Sequence, residues 1–276
     1  MGNTDVHLKI LVDNVSKAGL LAEHGFSLLI EANDQKILFD TGQGPALPHN
    51  AEEMNVDLRQ TGLLVLSHGH YDHTGGLPSV LRASHHVDVY CHGAAFLPRY
   101  SIDSGVAKPV KMIPEAMIAL NSLPEERMHW VAKPLKITDD IGITGEIPRI
   151  SDFEDTGGAF YFDQDGKRTD SIRDDIAIWI RTAQGLVICV GCCHAGIINT
   201  LTYIRDLTGE SKIHTLIGGL HLLNADQARL EKTIDGLHQF NVGQIVPCHC
   251  TGDAANSLLK REMNCRQGYA GMDLQI

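Results

Sequence analysis

The chain has 276 residues, of which 43% are hydrophobic and 21% are charged, and this is the composition of an ordinary globular domain with a sizeable core. The net charge of −11 argues against a protein that binds nucleic acid through its phosphates, because such proteins carry a basic face. No apolar run reaches the roughly 18 residues of a membrane-spanning helix, and the first residues lack the basic and apolar regions of a secretory signal, so no membrane partner is expected.

The first sixty residues predict a small antiparallel sheet. Residues 6–12 alternate between apolar and polar side chains, as in a half-buried strand. Residues 26–31 and 36–40 form two further apolar runs around a short polar turn, which indicates a hairpin. The hairpin ends in Asp40-Thr41-Gly42, a carboxylate beside a glycine at a strand terminus. A loop and a helix are expected over residues 45–60.

A histidine cluster follows the next predicted strand, residues 63–66. His68, His70, Asp72 and His73 fall within six positions. Imidazole and carboxylate are the ligands that zinc and related divalent metals prefer. Gly69 allows the backbone to turn sharply enough for near neighbours to point at one place. A chance cluster does not explain the interleaved aspartate, so the sequence predicts a metal site here.

The segment of about residues 93–135 follows a predicted helix (75–84) and strand (86–91). It is rich in proline and has no clean hydrophobic period, so it is interpreted as an insertion with short helices. An insertion of this kind beside a site is often a lid or a substrate loop. An insertion without a functional role is nearly as good an interpretation.

Strands and helices alternate through the rest of the chain. Strands are predicted over 141–147, 176–181, 186–190, 213–217 and 244–247, and helices over 197–207, 225–240 and 253–263. Three of these strands are followed by a histidine, namely His194, His221 and His249. Because functional groups gather at strand ends in open α/β sheets, we expect these histidines to join the cluster at 68–73.

The cysteine count bears on location. Seven cysteines are an odd number and too few for a disulfide framework in a chain of this length. Reduced thiols in the cytoplasm are therefore expected.

The motifs resemble those of one large family. His68, His70, Asp72 and His73 match the H-x-H-x-D-H signature of the metallo-β-lactamase superfamily in full. Gly-Cys-Cys-His-Ala-Gly-Ile at 191–197, Gly-Gly-Leu-His-Leu at 218–222 and Pro-Cys-His-Cys-Thr-Gly at 247–252 resemble the subgroup called metal-dependent hydrolases of β-lactamase superfamily II. Some members of that subgroup are dihydropterin synthases. The resemblance implies an α/β fold, a four-layer αββα sandwich, with residues 1–276 as one domain.

The resemblance also implies a ligand set with a gap. His68 and His70 would bind one metal ion, and Asp72, His73 and His249 a second. The usual bridging aspartate falls at Cys192, and no histidine stands at the usual third-ligand position before residue 176.

Three residues are candidates to fill that gap. His194 is favoured, because it lies just past a strand end and imidazole suits the first ion. Asp175 and Cys192 are further candidates, although Asp175 also fits the flank of a hairpin and Cys192 a plain buried cysteine.

Two residues are candidates for catalysis. Asp72 would orient an attacking hydroxide while it ligates metal. His221 resembles an active-site histidine of some superfamily members and would act as a general acid. A structural histidine at a strand end is an equal alternative.

The function implied is a hydrolase with two divalent ions, zinc by default and iron or manganese as alternatives. Its substrate would be a small-molecule ester, lactone or phosphoester. The first alternative is a dihydropterin synthase-like transferase that releases pyrophosphate. The second is a non-catalytic binding or sensor protein; the missing aspartate favours it, and the complete histidine motif opposes it.

Overall fold

The computed structural model describes residues 4–276. The strands are β1 (Val6–Val12), β2 (Ser27–Ala32), β3 (Gln35–Phe39), β4 (Leu63–Val65), β5 (Asp88–Cys91), β6 (Tyr100–Asp103), β7 (Val106–Pro109), β8 (Met128–Trp130), β9 (Leu135–Lys136), β10 (Ile141–Ile143), β11 (Phe160–Tyr161), β12 (Ala177–Thr182), β13 (Gly185–Val190), β14 (Ile213–Gly219), β15 (Gln244–Cys248) and β16 (Asp273–Gln275). The helices are α1 (Ala46–Glu53), α2 (Tyr71–Thr74), α3 (Leu77–Ala83), α4 (Pro114–Asn121), α5 (Ile197–Thr208), α6 (Gln227–Gln239) and α7 (Asp253–Glu262).

Two sheets face each other across the main core. The first has the strand order β16-β1-β2-β3-β4-β5-β8, and the second β15-β14-β13-β12-β10-β9. Apolar side chains of both sheets meet between them, among them Ile10, Phe39, Ile143, Ile178 and Val246. The alternating patterns of β1 and its neighbours place these residues on the inner faces, since successive side chains of a strand point to opposite sides.

Helices cover the outer face of each sheet. Leu47 of α1 and Val80 of α3 pack with Leu64 of β4 against the first sheet. On the second sheet, Leu201 of α5 and Leu237 of α6 pack on its outer face. The four layers confirm the αββα sandwich predicted from the sequence.

The strands that carry site residues end at one edge of the sandwich. The predicted hairpin of β2 and β3 forms, and β3, β4 and β5 then run parallel. In the second sheet β13, β14 and β15 are also parallel. Parallel neighbours place their carboxyl ends side by side, so the loops after β3, β4, β13, β14 and β15 lie close together.

The segment 93–135 was predicted to be an insertion with short helices, and the structure differs from this prediction. It contains α4, but also the hairpin β6–β7, which forms a third sheet with β11, and β8, which extends the first sheet parallel to β5. These strands have only three or four residues, too few for a period to be recognised. The strand β16, which pairs antiparallel with β1, was not predicted for the same reason.

Between residues 4 and 276 the structure has no helix that is long and apolar enough to cross a membrane. All seven cysteines are unpaired, and six of them are buried.

Candidate metal centre

The loop after β4 brings the predicted histidine cluster into the interior. His68, His73 and the Asp72 carboxylate are buried, and α2 begins directly after His70. Gly69 is required at the tightest point, because a Cβ there would lie 2.1 Å from the carbonyl oxygen of Ala95. Its N–H donates to Asp174 Oδ2 at 2.8 Å. The short helix then directs Asp72 and His73 to the same region as the two histidines before it.

His68, His70 and His194 form the first group of candidate ligands. Nε2 of His68 lies 2.9 Å from Nδ1 of His70, and the ring centroid of His194 lies 4.8 Å from that of His68. Nδ1 of His194 lies 2.8 Å from the carbonyl oxygen of Thr156, and its Nε2 is buried without a partner among residues 4–276. A fixed ring with one free, buried nitrogen is what a metal-binding histidine needs.

Burial keeps these histidines in the form that binds metal. Desolvation lowers the pKa of His68 and of His194 well below the usual value, and the neighbouring imidazoles lower it further. Both rings are therefore neutral at physiological pH, with a lone pair available for a cation.

Asp72, His73 and His249 form the second group. Asp72 Oδ2 lies 3.1 Å from Nε2 of His249 and 4.0 Å from Nε2 of His73. Burial alone would raise the pKa of Asp72, but hydrogen bonds from His24 and His249 outweigh it and hold this pKa well below its usual value. The second group thus presents a permanent negative charge.

His24 also belongs to this region, although the sequence analysis missed it. Its Nε2 lies 3.2 Å from the same Asp72 oxygen, and its ring centroid lies 4.8 Å from that of His249. His24 lies in a loop without a clear hydrophobic period, three residues before β2. A single histidine in such a loop is a weak signal for a metal ligand.

Asp40 supports both halves of the metal loop from behind. Its Oδ1 accepts the N–H of Ser67 at 2.7 Å, and its Oδ2 accepts the Ser67 hydroxyl at 2.6 Å. The same Oδ2 lies 2.6 Å from Nδ1 of His73. Burial lowers the pKa of His73, but the Asp40 carboxylate more than offsets this and raises the pKa to about 9. The contact fixes the ring so that Nε2 faces the centre.

Cys192 lies between the two groups, where the family pattern predicts an aspartate. Its Sγ is 3.0 Å from Nε2 of His73. The candidate ligand atoms of Cys192, His68 and His194 lie within 4.8 Å of one another, and so do those of Cys192, His73 and His249. A thiolate is a common zinc ligand. The structure therefore brings Cys192 to the shared position.

Asp175 has a different environment from the other candidates. Its Oδ2 accepts the N–H of Ala195 at 2.7 Å, which anchors the loop that carries His194. Burial raises its pKa to about 7. Within the described range, it belongs to none of the groups of side chains whose ligand atoms converge. Its other oxygen, Oδ1, is buried without a partner among residues 4–276, so its role as a ligand stays a prediction.

His221 lies at the rim of the first group. Its ring centroid is 4.2 Å from that of His194, and its Nδ1 is buried with no partner in residues 4–276. Four residues in the loops after β3, β13, β14 and β15 have positive φ angles between 46° and 62°, namely Asp40, Cys193, His221 and His249. Such angles are strained for residues other than glycine and cluster at functional sites.

A cleft of about 520 Å³ opens beside His221. Phe153, Asp155, Gly157, Arg229 and Lys232 are among its lining residues. The Arg229 side chain is 9% exposed and pairs with Asp155, while its Nε has no partner within the described part of the chain. The cleft is therefore lined by two basic side chains, Arg229 and Lys232, as well as by His221.

The third sheet closes the site on the other side. The ring centroid of Phe160 on β11 lies 5.1 Å from that of His70 and 5.2 Å from that of His194. Arg99, which is fully buried before β6, pairs with Asp170 and with Asp174, the residue that accepts the Gly69 N–H. This ion-pair group ties the third sheet to the histidine loop.

Comparison with known proteins agrees with this arrangement. An uncharacterized protein of Methanocaldococcus jannaschii is 35% identical over 273 residues, which cover 98% of this chain and 100% of that protein. The 7,8-dihydropterin-6-methyl-4-(β-D-ribofuranosyl)-aminobenzene-5′-phosphate synthase of the same organism is 30% identical over 260 residues, 87% of this chain and 85% of that enzyme.

Solved structures and a family model point the same way. The crystal structure of a metal-dependent hydrolase of the β-lactamase superfamily superposes with a TM-score of 0.83 at 29% identity, covering 98% of this chain and 99% of that one. The family model described as the metallo-β-lactamase superfamily matches residues 21–177, more than half of the chain. With its signature histidines gathered at the edge of an αββα sandwich, the chain belongs to the metallo-β-lactamase superfamily.

Proposed function

We propose that the chain is a metal-dependent hydrolase that uses two divalent ions, zinc in the first place, on a small-molecule ester, lactone or phosphoester. One observation carries this proposal. Cys192 joins the two sides of the site, because its ligand atom converges with those of His68 and His194 and with those of His73 and His249. Nε2 of His194 is buried and has no partner in residues 4–276. Buried polar atoms are rarely left unpaired, so this nitrogen fits a cation ligand.

The residues that would hold the ions follow from the two groups. His68, His70 and His194 suit the first ion, and Asp72, His73 and His249 the second, with Cys192 between them. Ions held there supply the usual chemistry of such centres, a lowered pKa of water and polarisation of the electrophile. Zinc accepts this mixture of imidazole, carboxylate and thiolate, and iron or manganese remain alternatives.

Asp72 and His221 have the clearest catalytic roles. Asp72 carries a negative charge that His24 and His249 stabilise, so it can accept a hydrogen bond from an attacking water and orient it. His221 lies between His194 and the cleft, where its ring can donate a proton to the leaving group.

The cleft beside His221 supports a small, anionic substrate. Arg229 and Lys232 line it, and Lys232 Nζ lies 5.4 Å from the ring centroid of Phe153 without a carboxylate within 4.0 Å in the described residues. By contrast, Arg173 is paired with Glu146, and Arg149 donates to the carbonyl oxygen of His194. Lys232 therefore offers a positive charge to a ligand in the cleft, beside the ion pair of Arg229 with Asp155.

A transferase is the second candidate. The relative that is 30% identical over 87% of this chain is named as a dihydropterin synthase, and this supports a reaction of that class. In such a reaction the same ligand sets would hold the ions beside a pyrophosphate leaving group. The unpaired cysteines fit a reducing compartment, so we propose a cytoplasmic location for either activity.

Turnover on a substrate panel tests the proposal. The metal-loaded protein is assayed with lactones, phosphodiesters and a pterin pyrophosphate, the last with and without an arylamine. Hydrolysis of a lactone or phosphoester without the amine supports the hydrolase. Pyrophosphate release that requires the amine selects the transferase and rejects the hydrolase.

The cleft is tested with the substrate identified in this way. Lys232→Met should raise KM for an anionic substrate about tenfold, and Lys260→Met, which removes an exposed charge on α7, should not. Equal KM values for both variants would reject the cleft as the binding place.

A further inference from the structure

We propose that His24 is an additional ligand of the second metal ion, at the solvent-facing side of the centre. This inference rests on the proposed metal centre, but it concerns a residue outside the H-x-H-x-D-H motif and outside the loops that follow the parallel strands. The second ion would then have one more imidazole ligand than the H-x-H-x-D-H motif and His249 provide.

The distances match those between ligands of one ion. Two neighbouring ligand atoms of a zinc ion, each about 2.0–2.1 Å from it, are roughly 3–3.5 Å apart in four- or five-coordinate sites. Nε2 of His24 lies 3.2 Å and Nε2 of His249 lies 3.1 Å from the same oxygen, Oδ2 of Asp72. The candidate ligand atoms of His24, Asp72 and His249 all lie within 4.8 Å of one another. The ligand atoms in the groups around Cys192 are equally close together.

The chain on both sides of His24 is held in place. The Glu23 carboxylate accepts the N–H groups of Gln43 at 2.8 Å, Gly44 at 2.9 Å and Ala46 at 3.0 Å. Gly25 contacts the metal loop so closely that a Cβ there would lie 2.4 Å from the carbonyl oxygen of Asp72. His24 therefore sits between two fixed neighbours, and little conformational entropy is lost when its ring binds an ion.

The second imidazole nitrogen of His249 is already engaged, and that of His24 is free to face water. Nδ1 of His249 lies 2.8 Å from Oδ1 of Asn14, whereas 56% of the His24 side chain is exposed. Oδ2 of Asp72 lies within 3.2 Å of both imidazole nitrogens, so a carboxylate oxygen stands between the two rings on this side. An imidazole ligand at this solvent-exposed position would shield the second ion from water on that side.

The test uses cobalt as the probe ion and a variant that keeps the hydrogen bond. In His24→Gln the side-chain amide can still donate to Asp72, but the imidazole is gone. The control is His85→Gln, which removes an exposed histidine after α3. Each protein is titrated with cobalt(II), and the visible absorption and the number of hyperfine-shifted imidazole proton resonances are recorded.

The outcomes separate this inference from the proposed function. We expect His24→Gln to bind the second equivalent of cobalt at least tenfold more weakly, with a changed absorption band and one set of imidazole resonances fewer, while the control equals the wild type. Two equivalents bound with unchanged affinity, spectrum and resonances would overturn the role of His24 and leave the metal centre intact. A wild-type protein that binds no cobalt would overturn both.

Discussion

Sγ of Cys192 lies 3.0 Å from Nε2 of His73, at the position where the family pattern has a bridging aspartate. Burial raises the pKa of Cys192 well above the usual value. An isolated thiol here would therefore stay protonated, and a divalent ion is what would make it a thiolate. The contact places a thiol where the family pattern has the aspartate.

The Cys192 position can be tested by exchanging the donor. We expect Cys192→Ala to weaken the binding of one ion by at least tenfold, because it removes a donor from both groups. Cys192→Asp should recover most of that affinity, since a carboxylate binds the same ions. Metal titrations against a chelator give the two constants, with Cys265→Ala as the control for loss of a remote thiol. Unchanged binding in Cys192→Ala would mean that Cys192 is an ordinary buried cysteine.

His221 should affect the reaction and not the metal content. We expect His221→Gln to lower kcat by about 10² to 10⁴, the range for loss of a general acid, while both ions remain bound. The measurement is steady-state kinetics beside metal analysis of the same samples. Loss of metal together with activity would instead assign His221 to the ligands. Full activity would reduce it to a structural residue.

Binding of the second ion should release protons. In the metal-free protein the pKa of His73 is about 9, because the Asp40 carboxylate outweighs the effect of burial, so the ring is protonated at pH 7. Nε2 must lose its proton to bind an ion, and the affinity of this site should rise about tenfold per pH unit up to pH 9.

The first ion provides the contrast. His68 and His194 have lowered pKa values and are already neutral at pH 7. In Cys192→Ala, which has no thiol proton to release, the affinity for the first ion should therefore be nearly flat between pH 7 and 9. Calorimetric titration in buffers of different ionisation enthalpy counts the released protons. If the second equivalent releases none at pH 7, His73 is not among its ligands.

Arg99 should be one of the most sensitive positions for stability. It is fully buried and pairs with Asp170 and Asp174, so Arg99→Ala leaves two carboxylates buried without their cation. We expect a loss of about 3–5 kcal/mol in the free energy of unfolding. Urea denaturation gives the value, and Arg82→Ala, on the surface of α3, should change it by less than about 0.5 kcal/mol. A loss as small as the control's would show that the ion pairs contribute nothing net.

Much of the site could be predicted because its residues lie at the ends of readable strands. His194, His221 and His249 follow β13, β14 and β15, whose apolar runs are long enough to recognise. Parallel strands place such positions at one edge, so residues more than a hundred positions apart could be expected to meet. The fold followed from the same runs together with the family motifs.

The remaining features depend on contacts that no local pattern encodes. His24 reaches Asp72 only because Gly25 and Glu23 anchor its loop to distant backbone. Asp174 and Asp175 are equivalent in the sequence, yet one pairs with Arg99 and the other holds Ala195. Tertiary packing, and not the local sequence, decides the different contacts of these two carboxylates.

Metal content tests the central claim most directly. Protein purified without a chelator is analysed for transition metals, together with His68→Ala and the surface control His85→Ala. We predict about two divalent ions per chain in the wild type and the control, and a clear loss in His68→Ala. A wild-type protein without bound metal that also takes up none on titration, or a His68→Ala variant with full metal content, would contradict the proposed centre.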